Sequence, residues 1–162
     1  MKGDCKLQFA QLSDRVEVNG QDTAMDTAAL PGVWINSNPN TSGIARMVMS
    51  ETDGQLSLQV FAIGPEGLID WGSAGVKVFA GVPTSRVGAG FTCTFDFGFA
   101  ETELQGMIMK GLLVLAQFHR FKDNSRRADF FVREYFALEH GGYLEQASHP
   151  PATAGSTDCI QV

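Results

Sequence analysis

At 162 residues, 44% of them hydrophobic and 19% charged, the chain can bury one substantial core but not two. A formal net charge of −6 argues against nucleic acid, which calls for clustered Lys and Arg, and against anionic membrane surfaces. No stretch reaches the roughly 20 consecutive apolar residues that a membrane-spanning helix requires.

Residues 1–31 read as an N-terminal extension. Short strand patterns over 7–12 and 15–19 flank Ser13-Asp14, and 22–30 suits one or two helical turns stopped by Pro31. Such a segment would serve as a plug or lid. From Gly32 the pattern becomes regular. A strand over 33–36 is followed by the turn signal Asn38-Pro39-Asn40-Thr41-Ser42-Gly43. Strands over 44–50 and 55–63 flank Thr52-Asp53-Gly54, in which Asp-Gly favours a tight hairpin. A loop through Gly64-Pro65-Glu66-Gly67 then carries Asp70-Trp71-Gly72 to a strand over 76–80. A glycine-rich loop over 81–90 precedes strands over 91–97, 101–110, 112–121 and 130–138, the last two joined by the polar run Lys122-Asp123-Asn124-Ser125-Arg126-Arg127. Short strands with turn signals between them predict an all-β domain over 32–138, antiparallel and up-and-down in order. Residues 139–162, with Gly141-Gly142 and His149-Pro150-Pro151, offer little to bury and read as a flexible tail.

Side chains alternate across a strand, so each strand has two candidate inner faces. Phe91, Cys93, Phe95, Phe97 and Phe99 share one face, and Thr92, Thr94 and Asp96 the other. On the next-to-last strand Leu113, Leu115, Gln117 and His119 oppose Leu112, Val114, Ala116 and Phe118. A strand apolar on both faces implies that its outer face is covered, by a second copy in a homo-oligomer or by the N-terminal segment. Cys5, Cys93 and Cys159 are odd in number and widely spaced, which implies neither a disulfide framework nor a metal site. The polar start, Met1-Lys2-Gly3-Asp4-Cys5-Lys6, lacks the pattern of a signal peptide, and a reduced cytoplasmic protein is expected.

The segment Leu30-Pro31-Gly32-Val33-Trp34-Ile35-Asn36 resembles the opening strand of the calycin superfamily, whose branches include lipocalins, fatty-acid-binding proteins and avidins. The resemblance implies a single antiparallel up-and-down β-barrel enclosing one small, largely apolar molecule. It also implies that Trp34 closes one barrel end against an arginine from the last strand, Arg133, with Arg126 and Arg127 as substitutes. Asn36 falls near a position that faces the ligand in avidins. The avidin cage is rich in tryptophan, whereas this chain has Trp34 and Trp71, which argues against biotin.

The chain carries no phosphate-cradling loop, nucleophile elbow or His-Glu-x-x-His motif, and no cofactor is implied. His119 is a candidate general acid or base, set against an ordinary barrel-end histidine. If the final hairpin pairs His119 near Val132, Gln117 lies opposite Glu134 and the three form one polar patch, set against a solvated outer face. Slippage by one residue would replace Glu134 by Arg133 and Tyr135. Asp96 inside a Phe-lined barrel would be a proton donor; on an outer face it is a solvated carboxylate. Trp71 is either a cover for a barrel edge or a ligand-stacking lid. Met47, Met49, Met107 and Met109 read as adaptable wall-fillers. Some bacterial barrels resembling lipocalins fold a flexible biosynthetic intermediate and promote its cyclisation. Three functions are therefore carried forward. The first is a cofactor-free cyclase or isomerase of a polyketide- or terpenoid-like intermediate, with Trp34, Trp71, Phe95 and Tyr135 lining the cavity and Asp96, His119 or Glu134 polarising the substrate. The second is a non-catalytic carrier of a hydrophobic ligand. The third is a filled barrel used for protein interaction.

Overall fold

The computed structural model of the protein describes residues 24–139. The strand patterns expected over 7–12 and 15–19 and the tail beyond Glu139 lie outside the described residues. Between 22 and 30, the described part holds one tight turn rather than a helix, closed by the Leu30 amide donating to the Thr27 carbonyl at 2.9 Å. Among the described residues there is no helix, and so none long and apolar enough to cross a membrane.

Nine strands follow: β1 (Gly32–Asn36), β2 (Ile44–Thr52), β3 (Gln55–Gly64), β4 (Gly67–Gly75), β5 (Lys77–Ala80), β6 (Gly88–Asp96), β7 (Ala100–Met109), β8 (Leu112–Phe121) and β9 (Phe130–Leu138). They form one antiparallel sheet in the order β4-β3-β2-β1-β9-β8-β7-β6-β5. Neighbours in the sheet are neighbours in the chain, except that β1 pairs with β9 and joins the first strand to the last. The two sheet edges are thus β4 and β5, consecutive in sequence. Among the described residues no ladder joins them. The sheet is instead curled until β4 meets β6 through side chains, with Trp71 edge-on to Phe95 at 5.7 Å and to Phe97 at 5.2 Å.

The curl follows from period-2 patterning. Met47 and Met49 on β2, Leu58 and Val60 on β3, Phe91, Cys93 and Phe95 on β6, Leu104 on β7, Leu113 and Leu115 on β8 and Phe136 on β9 all point inward and are buried together. Gly106 on β7 is required by this packing, because a Cβ there would collide with the ring of fully buried Phe91. Met107 and Met109 take the opposite parity and lie exposed on the convex face, so only Met47 and Met49 fill the interior. On that convex face Leu112, Phe131 and Tyr135 are exposed as well.

The main departure from the expected elements is β4, which occupies the segment read as a loop. It is an edge strand interrupted by a bulge: Gln59 pairs with Ser73 and Phe61 with Asp70, so Trp71 and Gly72 together face Val60. Gly72 takes φ +82°, and its amide donates to Asp70 Oδ1 at 2.8 Å. The extra residue lets Trp71 and Ala74 of the same strand both pack against the core. Asp-Trp-Gly therefore has turn chemistry, used inside a strand.

Candidate functional site

Along β1, β8 and β9 the inward rows change from apolar to polar at one end of the curl. Trp34 is followed two residues on by Asn36, Leu115 by Gln117 and His119, and Phe136 is preceded by Glu134. Thr102 on β7 stands opposite His119. The last hairpin pairs Gln117 with Val132 and His119 with Phe130, two residues from the expected register. A shift of two preserves the face of every side chain. Gln117 and Glu134 consequently meet diagonally, with Nε2 donating to Glu134 Oε2 at 2.7 Å.

Backbone partners fix the orientation of Asn36 and Thr41 in this network, and the carboxylate of Glu134 fixes that of Gln117. Asn36 donates from Nδ2 to the Ile44 carbonyl at 2.8 Å and accepts the Asn38 amide on Oδ1 at 2.8 Å, which sets its amide orientation. The same Nδ2 donates to Glu134 Oε1 at 2.9 Å. Thr41 Oγ1 accepts the Gly43 amide at 3.0 Å, leaving its own proton for Glu134 Oε1 at 2.6 Å. Glu134 thus accepts three donors, as an ionised carboxylate does. Because Gln117 donates to Glu134, its Oε1 must accept from His119 Nε2, 3.3 Å away. His119 is then the Nε2–H tautomer, and its Nδ1 accepts the Thr102 hydroxyl at 2.9 Å. Burial lowers the His119 pKa below its ordinary value, which favours the neutral ring. Neutral His119 stacks on Phe130 at 4.3 Å and stands edge-on to Trp71 at 6.5 Å.

These groups border a cavity of about 570 Å³, lined by Glu134, Gln117, His119 and the adjoining Phe130 on one wall and by Trp71, Ile69 and Ala62 from β3 and β4. The 38–43 turn between β1 and β2 forms its rim. A second hollow of about 470 Å³ shares Ile69, Trp71, His119 and Phe130 and adds Phe97, Phe99 and Phe121. The two are lobes of one site, the first polar and the second aromatic.

Of the residues singled out in the sequence, His119, Glu134, Gln117, Asn36 and Trp71 come together here. Phe95 is buried beneath Trp71 rather than at the cavity wall. Trp34 is buried in the core, with its indole N–H donating to the Leu30 carbonyl at 3.0 Å. Arg133 does not meet it: that side chain has outward parity, pairs with Ala116 and lies over the Phe131 ring at 5.5 Å. Tyr135 shares that outer face and is exposed. Asp96 is also outside. Its carboxylate bridges to Lys122 and accepts the Gly98 amide at 2.8 Å, and the Lys122 hydrogen bond lowers its pKa. Sequence reasoning missed Thr41 and Thr102, whose only signal was a hydroxyl in a turn run and another on an ordinary strand.

Burial drives the Cys93 thiol up to about 12, so it is packing and not a nucleophile. Among the described residues no group of three or more His, Cys, Asp or Glu side chains is arranged to hold a metal ion. The chain matches no protein-family model and no curated protein in a sequence comparison.

Proposed function

We propose that the protein is a calycin-like barrel that encloses a small, mostly apolar molecule in the cavity between Glu134, His119 and Trp71. The observation that carries this is the contrast between the two ends of the interior. One is packed with Phe, Leu and Met, and the other leaves about 570 Å³ open beside a fixed polar network. A hollow lined mainly by apolar side chains with a few convergent polar groups is the usual form of a ligand site. An environment-sensitive apolar dye should bind with a stoichiometry of about one and be displaced by the natural ligand class. Absence of saturable uptake would remove this function.

A second reading is cofactor-free cyclisation or isomerisation of a polyketide- or terpenoid-like intermediate. It is favoured by the carboxylate of Glu134 and the neutral imidazole of His119 standing on one wall, linked through Gln117. Glu134 would polarise the substrate, and the aromatic lobe would hold it folded so that its reacting atoms stay in contact. Turnover of a candidate polyene or polyketone with wild type and no loss in Glu134→Gln would reduce this to catalysis by shape. No turnover with any bound candidate would leave a carrier.

A further inference from the structure

We infer that the ligand carries a cationic amine, seated on Glu134, with its apolar or aromatic body in the lobe beyond Trp71. This rests on the cavity being a ligand site and specifies the chemistry of that ligand.

The lining of the polar lobe contains one ionisable carboxylate, Glu134, and no Lys or Arg. The aromatic lobe adds Asp70 to the lining and no Lys or Arg; Arg127, which lies over the Phe99 and Phe121 rings, is already paired with Asp123. Burial of His119, the remaining titratable group between the lobes, lowers its pKa and so disfavours its charged form. The salt bridges among the described residues lie on Arg120, Lys122 and Arg127, and Glu134 takes part in none of them.

Hydrogen-bond capacity points the same way. Every neighbour of Glu134 is a neutral donor: Asn36 and Thr41 fill Oε1, and Gln117 takes one position on Oε2. A carboxylate offers about four acceptor positions, so Oε2 keeps about one. An ammonium is the donor that both fills that position and neutralises the charge, and hydrogen bonds between ionised partners are the strong ones. A ligand carboxylate would find repulsion and no counter-ion. The Trp71 ring, which also lines the cavity, adds an aromatic surface that attracts a cation, whereas an anion gains nothing from it.

The test uses three probes with one body and three heads: 4-phenylbutylamine, 4-phenylbutan-1-ol and 4-phenylbutanoate. Titration of the intact wild-type chain near pH 7.4 should give the order amine, alcohol, carboxylate, with about tenfold between the first two. In Glu134→Gln the amine should fall to the affinity of the alcohol, while the alcohol changes by less than about threefold. The wild-type order needs no variant and therefore decides the matter even if Glu134→Gln fails to fold. An alcohol that binds as tightly as the amine, or a carboxylate that binds best, overturns the cationic ligand and leaves the cavity standing. If none of the three binds and no apolar dye is taken up, the cavity function falls with it.

Discussion

Trp71→Ala should open the seam of the sheet. Between β4 and β6 there is no hydrogen-bonded ladder, and the contact rests on the Trp71 ring against Phe95 and Phe97. Truncating a fully buried Trp or Phe to Ala costs about 3–5 kcal/mol, and the half-buried position of Trp71 reduces that to about 2. Each of the two edge-on aromatic pairs adds about 0.5–1.5 kcal/mol beyond buried area, so the total loss should be about 3–5 kcal/mol. Urea unfolding followed by far-ultraviolet circular dichroism measures it as a lower midpoint at unchanged slope. Amide exchange should accelerate in β4 ahead of β8, because an edge strand freed of its side-chain seam unfolds locally. Trp71→Phe should retain most of the stability. A loss below about 1 kcal/mol in Trp71→Ala, or uniform exchange across β4 and β8, would mean that the edges are held by something other than these rings.

Gly106→Ala should destabilise the protein by about 1–3 kcal/mol, since the added methyl meets the immobile Phe91 ring; a midpoint within error of wild type would contradict that packing. His119 predicts a pH dependence of definite sign. Burial holds its folded pKa below the ordinary histidine value, so on acidification the unfolded chain takes up a proton that the folded one refuses. The stability that this group contributes is therefore complete above its unfolded pKa and is lost as pH falls through that value towards the folded pKa. The urea midpoint should drop more between pH 7.5 and 5.5 in wild type than in His119→Gln, and equal drops would refute the assignment. Asp96→Ala and Tyr135→Ala should leave dye uptake unchanged, because both side chains face away from the cavity; loss of uptake in either would place the site elsewhere.

Much of the fold can be read from period and punctuation. Apolar, β-branched and aromatic runs punctuated by Gly111 and the polar 122–127 loop locate β8 and β9 at their observed bounds, and Asp53-Gly54 locates the β2–β3 hairpin. What escapes is β4. As an edge strand it exposes Leu68 and Ile69, and the bulge at Gly72 breaks the alternation that marks a strand. The candidate site shows the same division. His119 and Gln117 share a face by alternation alone, whereas on sequence alone Glu134 is exchangeable with Arg133 and Tyr135 and the face itself is open; the observed pairing of Gln117 with Val132 puts Glu134 on the same side. The partners of the network depend on distances between elements far apart in sequence. Asn36 reaches Glu134 only because β1 pairs with β9, and nothing local to either strand encodes that pairing. Asp96 illustrates the reverse difficulty. Phe95 and Phe97 flank it with identical chemistry whether the carboxylate faces in or out, and it is the contact with Lys122 on the outer face that decides.

The most direct test is a two-peak experiment. The chain has two tryptophans, Trp34 and Trp71, and their indole N–H resonances in a nitrogen–proton spectrum report the two regions of the interior separately. Trp34 is buried with its N–H bonded to the Leu30 carbonyl, whereas Trp71 lines the cavity. Titration with an apolar amine should shift the Trp71 resonance saturably and leave the Trp34 resonance in place. Movement of Trp34 with Trp71 unmoved, or no movement of either at saturating ligand, would contradict a ligand site at the polar end of the sheet.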